Sequence, residues 1–172
     1  DVPLHYRNKV VSPFVGVYDR KARRRRILCG MYERGTHHVI DSSECLIENQ
    51  VAKAIIQSVR QLMPKLRIEP YDEDADVGFL RHAQVRVGHA SGEVMVTLVT
   101  RDEAFPAGKR LARELVRRHP QITTVVQNVN TRRTNIIMGD KERTIYGPGF
   151  ILDELCGLSF RISSRSFYQV NS

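Results

Sequence analysis

The sequence predicts an α+β domain in which two principal helices accompany a mainly antiparallel sheet. Short apolar segments of strand length recur along the 172 residues, separated by turn-forming residues, and indicate hairpins. Two other segments repeat apolar residues at helical spacing. No apolar run approaches the roughly 18 residues that a transmembrane helix needs. The hydrophobic content of 41% argues against wholesale disorder.

The N-terminal third is predicted to consist of strands. Residues 6–17 alternate weakly between apolar and polar side chains and indicate a first strand. The arginine-rich run at residues 20–26 cannot pack in a core, so we expect an exposed hairpin loop there. Residues 27–32 form the returning strand, and residues 38–40 form another short one.

A first helix is predicted from residue 48 onward. Apolar residues recur at every third or fourth position up to Met63, and we expect Pro64 to end the helix. Residues 65–70 are predicted as a short strand or linker. Residues 71–76 form an acidic loop, which we expect to be solvated because it lacks the Gly and Glu of a calcium-binding loop.

The clearest hairpin joins residues 81–87 to residues 93–100 through a glycine-containing turn. Its first strand alternates as a half-buried strand does, with one apolar and one polar face. Those faces are Val85 and Val87 on one side, and Gln84 and Arg86 on the other.

The last third is predicted to hold the second helix and a further set of strands. The helix runs from Pro106 to about His119 and exposes a strongly basic side. Residues 122–129 and 135–138 are expected to form a strand pair joined at residues 130–134. Further short strands are predicted at residues 143–146, 150–152 and 158–162.

The charge distribution favours a polyanionic partner. The formal net charge is +8, with basic ends flanking a middle section of net negative charge. Arginine supplies 21 of the 27 basic residues, and its planar guanidinium suits phosphates and base edges. A nucleic acid is therefore the expected partner, although an arginine-rich composition also follows from a GC-rich genome.

The cysteines and the motif inventory exclude several enzyme classes. Cys29, Cys45 and Cys156 are odd in number and widely spaced, which favours a reduced cytoplasmic protein over a disulfide framework or a zinc knuckle. The sequence contains no nucleophile elbow, zinc-protease motif, phosphate-binding loop or dinucleotide fingerprint. Residue chemistry alone thus indicates a basic α+β module that faces RNA or DNA.

Two groups of cations are candidates for contacts with nucleic acid. Arg7 and Lys9 lie two residues apart on one side of the first predicted strand. The second group comprises Arg23, Arg24, Arg25 and Arg26, and the basic side of the second helix could act similarly. The alternative for each is a solvated surface. Aromatic rings at Tyr6 and at Phe167 lie close enough in sequence to cations or polar groups to hold an unstacked base.

Several strings together resemble the central region of the RNA uracil-5-methyltransferases (the TrmA/RumA class). The closing segment is similar to that family's SPxxFxQxN motif, except that Ser164 stands where proline is usual. The resemblance is closest to the bacterial ribosomal-RNA branch, with a transfer-RNA enzyme left open. The matching strings are Tyr6-Arg7-Asn8-Lys9, Ile40-Asp41 with Cys45, Leu80-Arg81-His82, residues 92–96, residues 126–130, Thr134-Asn135 and residues 160–171.

The resemblance implies a three-part enzyme of which this chain is a piece, as the missing initial methionine and the strand-like end also lead us to expect. Residues 1–155 would be the central α+β domain that engages RNA. Residues 156–172 would begin a Rossmann-like methyltransferase domain that uses S-adenosylmethionine. The family's catalytic cysteine, which adds to C6 of a flipped uridine before C5 is methylated, would lie beyond Ser172, as would the general base. The fragment is therefore expected to be inactive by itself.

The resemblance also implies roles for particular residues. Gln169 matches a glutamine that contacts the cofactor, and Phe167 lies where the family approaches the target base. Arg7 and Lys9 are implied to touch RNA. Cys45 matches the fourth ligand of a 4Fe–4S cluster that many members carry, the other three cysteines lying outside this chain. The alternatives are a stand-alone RNA-binding module and a metal or redox protein built around Cys45.

Overall fold

Within residues 4–167, the part of the chain that the computed structural model describes, seven strands form one sheet in the order β3-β2-β1-β4-β5-β6-β7. Two further strands form the separate β8–β9 hairpin. The strands are β1 (Lys9–Asp19), β2 (Arg24–Tyr32), β3 (Val39–Asp41), β4 (Leu80–Val87), β5 (Val94–Thr100), β6 (Ile122–Val129), β7 (Lys141–Tyr146), β8 (Ile151–Leu155) and β9 (Leu158–Ile162), and the helices are α1 (Gln50–Lys65) and α2 (Gly108–Arg118).

The strand pairing confirms the predicted α+β class. All described neighbours are antiparallel except β5 and β6, which run parallel. Parallel neighbours need a long crossover, and α2 supplies it between these two strands. The proposed domain boundary between residues 155 and 156 falls in the turn of the β8–β9 hairpin and stays a prediction.

Strand β1 changes partner at Pro13. Residues Lys9 to Pro13 pair with β4, whereas Phe14 to Asp19 pair with β2. Proline has no backbone N–H to donate, so it is tolerated at such a changeover. The end of the β1–β2 hairpin consequently extends past β4, and β2 continues into the β2–β3 hairpin, whose residues form one wall of a cleft.

The apolar core lies between one sheet face and the two helices. The helix α1 begins at Asn49, whose side chain accepts hydrogen bonds from the backbone N–H groups of Val51 and Ala52. Its apolar stripe packs against the β4 and β5 side chains on this face, such as Val85. Pro64 lies in the last helical turn and not after it, so the helix ends one residue later than predicted.

The opposite, polar face of the sheet is also covered, which corrects the half-exposed strand expected at β4. Gln84 and Arg86 are 4% and 6% exposed. The β8–β9 hairpin packs over this face, where Ile151 and Ile162 meet Met95 of β5 in a small apolar cluster. The strand alternation correctly separates the two faces but carries no information about what covers the second one.

Another prediction was wrong at residues 135–138, which form no strand. The partner of β6 is β7, and residues 131–140 form a loop that side chains hold in place. The Asn130 amide donates to the carbonyl oxygens of Ile136 and Ile137 at 2.6 and 3.0 Å. The loop also returns close to β6 at Gly139, where a Cβ atom would lie 1.8 Å from the carbonyl oxygen of Val129.

In residues 4–167, neither helix is both long and apolar enough to cross a membrane.

Candidate RNA interface

The arginine-rich run lies on a protruding hairpin and is exposed, as expected, but most of it is strand. Residues 20–23 form the turn, and Arg24, Arg25 and Arg26 belong to β2. The loop prediction was therefore wrong for these three arginines. Because successive strand residues point to opposite faces, Arg24 and Arg26 share one face and Arg25 lies on the other. An RNA backbone on one face can meet two of these three cations.

We expect the double variant Arg24→Gln/Arg26→Gln to bind RNA more weakly. The slope of log affinity against log salt should fall by up to about 2, because each lost phosphate contact removes about one released counterion. Titrations of RNA over a salt series measure this slope. The double variant Arg24→Lys/Arg26→Lys keeps both charges and should retain the slope, whereas an unchanged slope in the glutamine variant would show a merely solvated hairpin.

Lys9 and Arg86 form a pair of adjacent cations on the polar face. They lie opposite each other in the β1–β4 ladder. Burial lowers the pKa of Lys9, and the neighbouring Arg86 charge lowers it further. Burial also lowers the pKa of Arg86. In the described part of the chain neither forms an ion pair with a carboxylate, so their positive charge is uncompensated. Arg86 is 6% exposed, and the half-buried Lys9 is therefore the member of the pair that an anion such as a phosphate can contact, while the Arg86 charge adds to the attraction.

The segment that follows β9 crosses the same face. The side chain of Gln84 donates a hydrogen bond to the carbonyl oxygen of Ser164 at 2.9 Å, and Arg86 donates one to that of Ser166 at 2.5 Å. Phe167, the next residue, is 91% exposed. The predicted base-contacting ring thus follows directly on the backbone that Arg86 holds. Gln169, predicted to contact the cofactor, lies outside the described residues.

Arg7 lies just before β1 and pairs through its backbone with the segment before α1. Its N–H donates to the carbonyl oxygen of Ile47 at 3.0 Å, and its carbonyl oxygen accepts from Asn49 at 3.1 Å. Burial raises the pKa of Glu48, against the opposing effect of the Lys53 and Arg7 charges. Arg7 therefore already faces a carboxylate, and its contact with RNA stays a prediction.

Cys45 lies in the connection between β3 and α1 as a half-buried free thiol. Its carbonyl oxygen accepts a hydrogen bond from the Lys53 ammonium at 2.9 Å. Residues 4–167 contain no group of three or more His, Cys, Asp or Glu side chains placed to hold a metal ion. A 4Fe–4S cluster needs four protein ligands, so these residues by themselves do not fit one.

A cleft of about 440 Å³ opens at the end of β4 remote from Arg86. Its walls come from the β2–β3 hairpin, the acidic loop, the start of β4 and the loop after β6. Its lining includes Tyr32, His37, Glu73, Arg81, His82 and Ile136.

Three rings meet at this cleft. The Tyr32 ring packs edge-on against His82, with centroids 5.9 Å apart, and its other neighbour His37 is tilted at 5.8 Å. Burial lowers the pKa of His82 to about 3, and the adjacent Arg81 charge contributes to this. The His82 imidazole is therefore neutral at physiological pH. Its buried Nδ1 atom has no hydrogen-bond partner within residues 4–167.

The acidic loop is less solvated than expected, because Glu73 reaches into the cleft. Its carboxylate accepts a hydrogen bond from the Tyr32 hydroxyl at 3.3 Å and lies 3.6 Å from the Arg81 guanidinium. His37 is 3.3 Å from the same carboxylate. The Arg81 guanidinium also donates to the carbonyl oxygens of Asn130 and Arg132. These contacts neutralise the charges at the cleft floor.

Sequence reasoning missed the role of β4 in both sites. Arg81 and His82 entered only as part of a resemblance, and Arg86 only as the polar side of a strand. The composition of β4 could have indicated this role. Three cationic or imidazole side chains and Gln84 occupy this eight-residue strand, and such residues are rarely buried without a specific role.

Comparisons with known proteins place this geometry in context. No protein-family model matches the chain. An RNA methyltransferase of Listeria monocytogenes is 40% identical over 169 residues, which are 98% of this chain and 36% of the relative. An RNA methyltransferase of Bacillus cereus is 38% identical over 177 residues, covering 99% of this chain and 38% of the relative. The chain thus spans a little over a third of the length of these curated relatives.

A solved structure shares the fold. It is the crystal structure of the Pyrococcus abyssi tRNA (uracil-54, C5)-methyltransferase in complex with S-adenosyl-L-homocysteine, which superposes with a TM-score of 0.76. The match covers 98% of this chain and 38% of that chain, at 22% identity.

Nearly the whole chain matches a segment of these RNA methyltransferases, which confirms the resemblance found in the sequence. Its fold is that of the corresponding part of a uracil-C5 methyltransferase.

Proposed function

We propose that this chain is the RNA-engaging segment of an S-adenosylmethionine-dependent RNA (uracil-5-)-methyltransferase. The observation that carries the proposal is the uncompensated Lys9–Arg86 pair, on the face crossed by the segment that leads to exposed Phe167. Cations beside an exposed aromatic ring suit a phosphate and an unstacked base of one RNA strand. The relatives named RNA methyltransferases support the same reading.

The finer features of the proposal concern the substrate and the separate roles of residues 1–155 and residues 156–172. The product would be 5-methyluridine, and 23S ribosomal RNA is the proposed substrate, on the resemblance to the ribosomal-RNA branch. Residues 1–155 would position the RNA, while residues 156–172 would lead into the methyltransferase domain, with Gln169 near the cofactor. Arg7 and the exposed hairpin arginines would add phosphate contacts.

The 4Fe–4S cluster and the cytoplasmic location are further parts of the proposal. Cys45 would supply one ligand, together with three cysteines outside this chain, because its thiol is free and half-buried. All three cysteines of the chain are free thiols, as is usual in a reducing compartment. Iron and sulfide analysis of the full-length protein and its Cys45→Ser variant tests the cluster.

The test of the function compares the full-length protein with the 172-residue chain. The full-length protein should transfer a labelled methyl group from S-adenosylmethionine to C5 of uridine in ribosomal RNA. The chain alone should bind that RNA without turnover and without tight binding of the cofactor. Robust turnover by the chain alone would contradict the expectation that catalysis needs residues outside this chain. RNA binding without any methylation by the full-length protein would indicate a stand-alone binding module.

A further inference from the structure

The cleft beside His82 has the shape and chemistry of a binding site for a small flat molecule. Its volume of about 440 Å³ falls in the range of about 300–1,000 Å³ usual for small-ligand pockets. The rings of Tyr32 and His82 form part of its wall. At its rim, Ile136 and Ile137 are 55% and 37% exposed, which leaves apolar surface for a ring to cover.

The polar groups of the cleft favour an uncharged ligand with N–H donors over a phosphate. The lining carries the carboxylates of Glu33 and Glu73 against the guanidinium groups of Arg34 and Arg81, so these four charges leave no excess of positive charge for an anion. The Arg81 guanidinium is already bound to Glu73 and to two carbonyl oxygens. Thr134 and Asn135 add a hydroxyl and an amide at the rim. A nucleobase combines a flat ring with donor and acceptor edges, and it therefore matches this arrangement.

The position of the cleft identifies the source of such a base. His82 and Arg86 are four residues apart on one strand, so they lie on the same face and about 13 Å apart at about 3.3 Å per residue. Lys9 lies opposite Arg86 and is the half-buried member of the pair, so an RNA strand whose phosphate contacts Lys9 passes close to the cleft, outside the segment that covers Gln84. A base turned out of that strand can reach the rings without leaving the proposed interface.

We propose that the cleft lined by Tyr32, His82 and Ile136 binds one unpaired nucleobase of the substrate RNA, adjacent to the strand held at Lys9. This inference rests on the proposed function and extends it. The cleft recognises a base at a second place along the strand, separate from the ring of Phe167. Such a contact would select RNA loops in which a base is free to leave its stack.

The experiment uses single-stranded RNA carrying the fluorescent base 2-aminopurine at successive positions, and the variant Tyr32→Leu in the full chain. The wild type should quench the fluorescence at one position when that base stacks in the cleft. Tyr32→Leu should abolish the quenching and weaken binding about tenfold, in the range expected for loss of one stacked base. The salt slope should stay unchanged, because no phosphate contact is lost.

Three control variants distinguish the loss of a contact in the cleft from a general loss of folded structure. Tyr32→Phe keeps the ring and should bind within about twofold of the wild type, and Tyr146→Leu makes the same change at an exposed tyrosine of β7, outside both the cleft and the arginine hairpin. Should Tyr32→Leu fail to fold, Ile136→Asp blocks the exposed rim, and Ile40→Asp is its matched control at 51% exposure.

The outcomes distinguish the cleft from the wider function. RNA binding that is unaffected by both Tyr32→Leu and Ile136→Asp, with quenching retained, would overturn the base-binding cleft and leave the proposed function intact. A full-length protein that neither binds nor methylates RNA would overturn both. Loss of quenching with both cleft variants, and not with Tyr146→Leu or Ile40→Asp, supports the cleft.

Discussion

Asp153→Ala should lower the free energy of unfolding by about 3 kcal/mol, because the variant loses three hydrogen bonds from exposed turn N–H groups to this carboxylate, each contributing about 1 kcal/mol. The Asp153 carboxylate, 2% exposed, accepts hydrogen bonds from His89, Ala90 and Ser91 at 2.7, 2.9 and 3.1 Å. These residues form the turn between β4 and β5. The carboxylate therefore fastens the β8–β9 hairpin to the sheet, and urea unfolding of the variant measures the loss.

Two further variants make this test specific. Asp153→Asn retains the oxygen that accepts from Ala90 and Ser91 but replaces the one that faces His89, so its loss should be roughly half as large. Asp74→Ala removes a carboxylate whose side chain is 82% exposed and should leave the stability nearly unchanged. Hydrogen exchange at the three turn amides should accelerate in Asp153→Ala. Unchanged exchange and unchanged stability would contradict the fastening role.

The parts of the fold that the sequence predicts are those with a strong local pattern. The stripe of α1 and the alternation of β4 each follow from side chains a few residues apart, and both are present. The parallel pairing of β5 with β6 depends on how α2 packs, which no local pattern contains. Residues 135–138 misled the prediction because Ile136 and Ile137 resemble a strand, whereas Asn130 binds their carbonyl groups and holds a loop.

The candidate site was predictable only where charge is visible in the sequence. The hairpin arginines and Lys9 were found from their charge, because the charge of a side chain follows from its residue type alone. Arg86 and His82 were missed as site residues because their importance comes from burial. The β8–β9 hairpin and the segment after it desolvate the polar face of β4, and the hydrogen bonds from this segment join residues 80 positions apart in the chain.

Replacing the Lys9–Arg86 pair should have the largest effect on RNA binding. Lys9→Gln should weaken binding about tenfold, because a hydrogen bond to a charged group contributes about 1.5 kcal/mol or more. Lys53→Gln is the matched control, since Lys53 is also half-buried but belongs to α1, on the opposite side of the sheet. Its binding should equal that of the wild type.

Two variants of Arg86 distinguish the effect of its charge on RNA binding from the effect of its hydrogen bond to Ser166. Arg86→Lys keeps a cation but loses the planar guanidinium that reaches the carbonyl oxygen of Ser166, so it should retain most of the salt slope while loosening the segment that ends at Phe167. Arg86→Gln should lose affinity and reduce the salt slope by about 1. Wild-type affinity in both Lys9→Gln and Arg86→Gln would remove this pair from the interface.

The pH dependence of binding provides an independent check on the same pair. Burial and the Arg86 charge hold the pKa of Lys9 below its ordinary value of 10.5, so the free protein loses this proton at a lower pH than an exposed lysine does. A bound phosphate favours the charged ammonium and raises that pKa again. RNA binding should therefore take up a proton and weaken as the pH rises through the Lys9 pKa of the free protein. Isothermal titration in alkaline buffers of different ionisation enthalpy measures the uptake. It should disappear in Lys9→Gln and persist in Lys53→Gln, because Lys53 lies on α1, away from the Lys9–Arg86 pair.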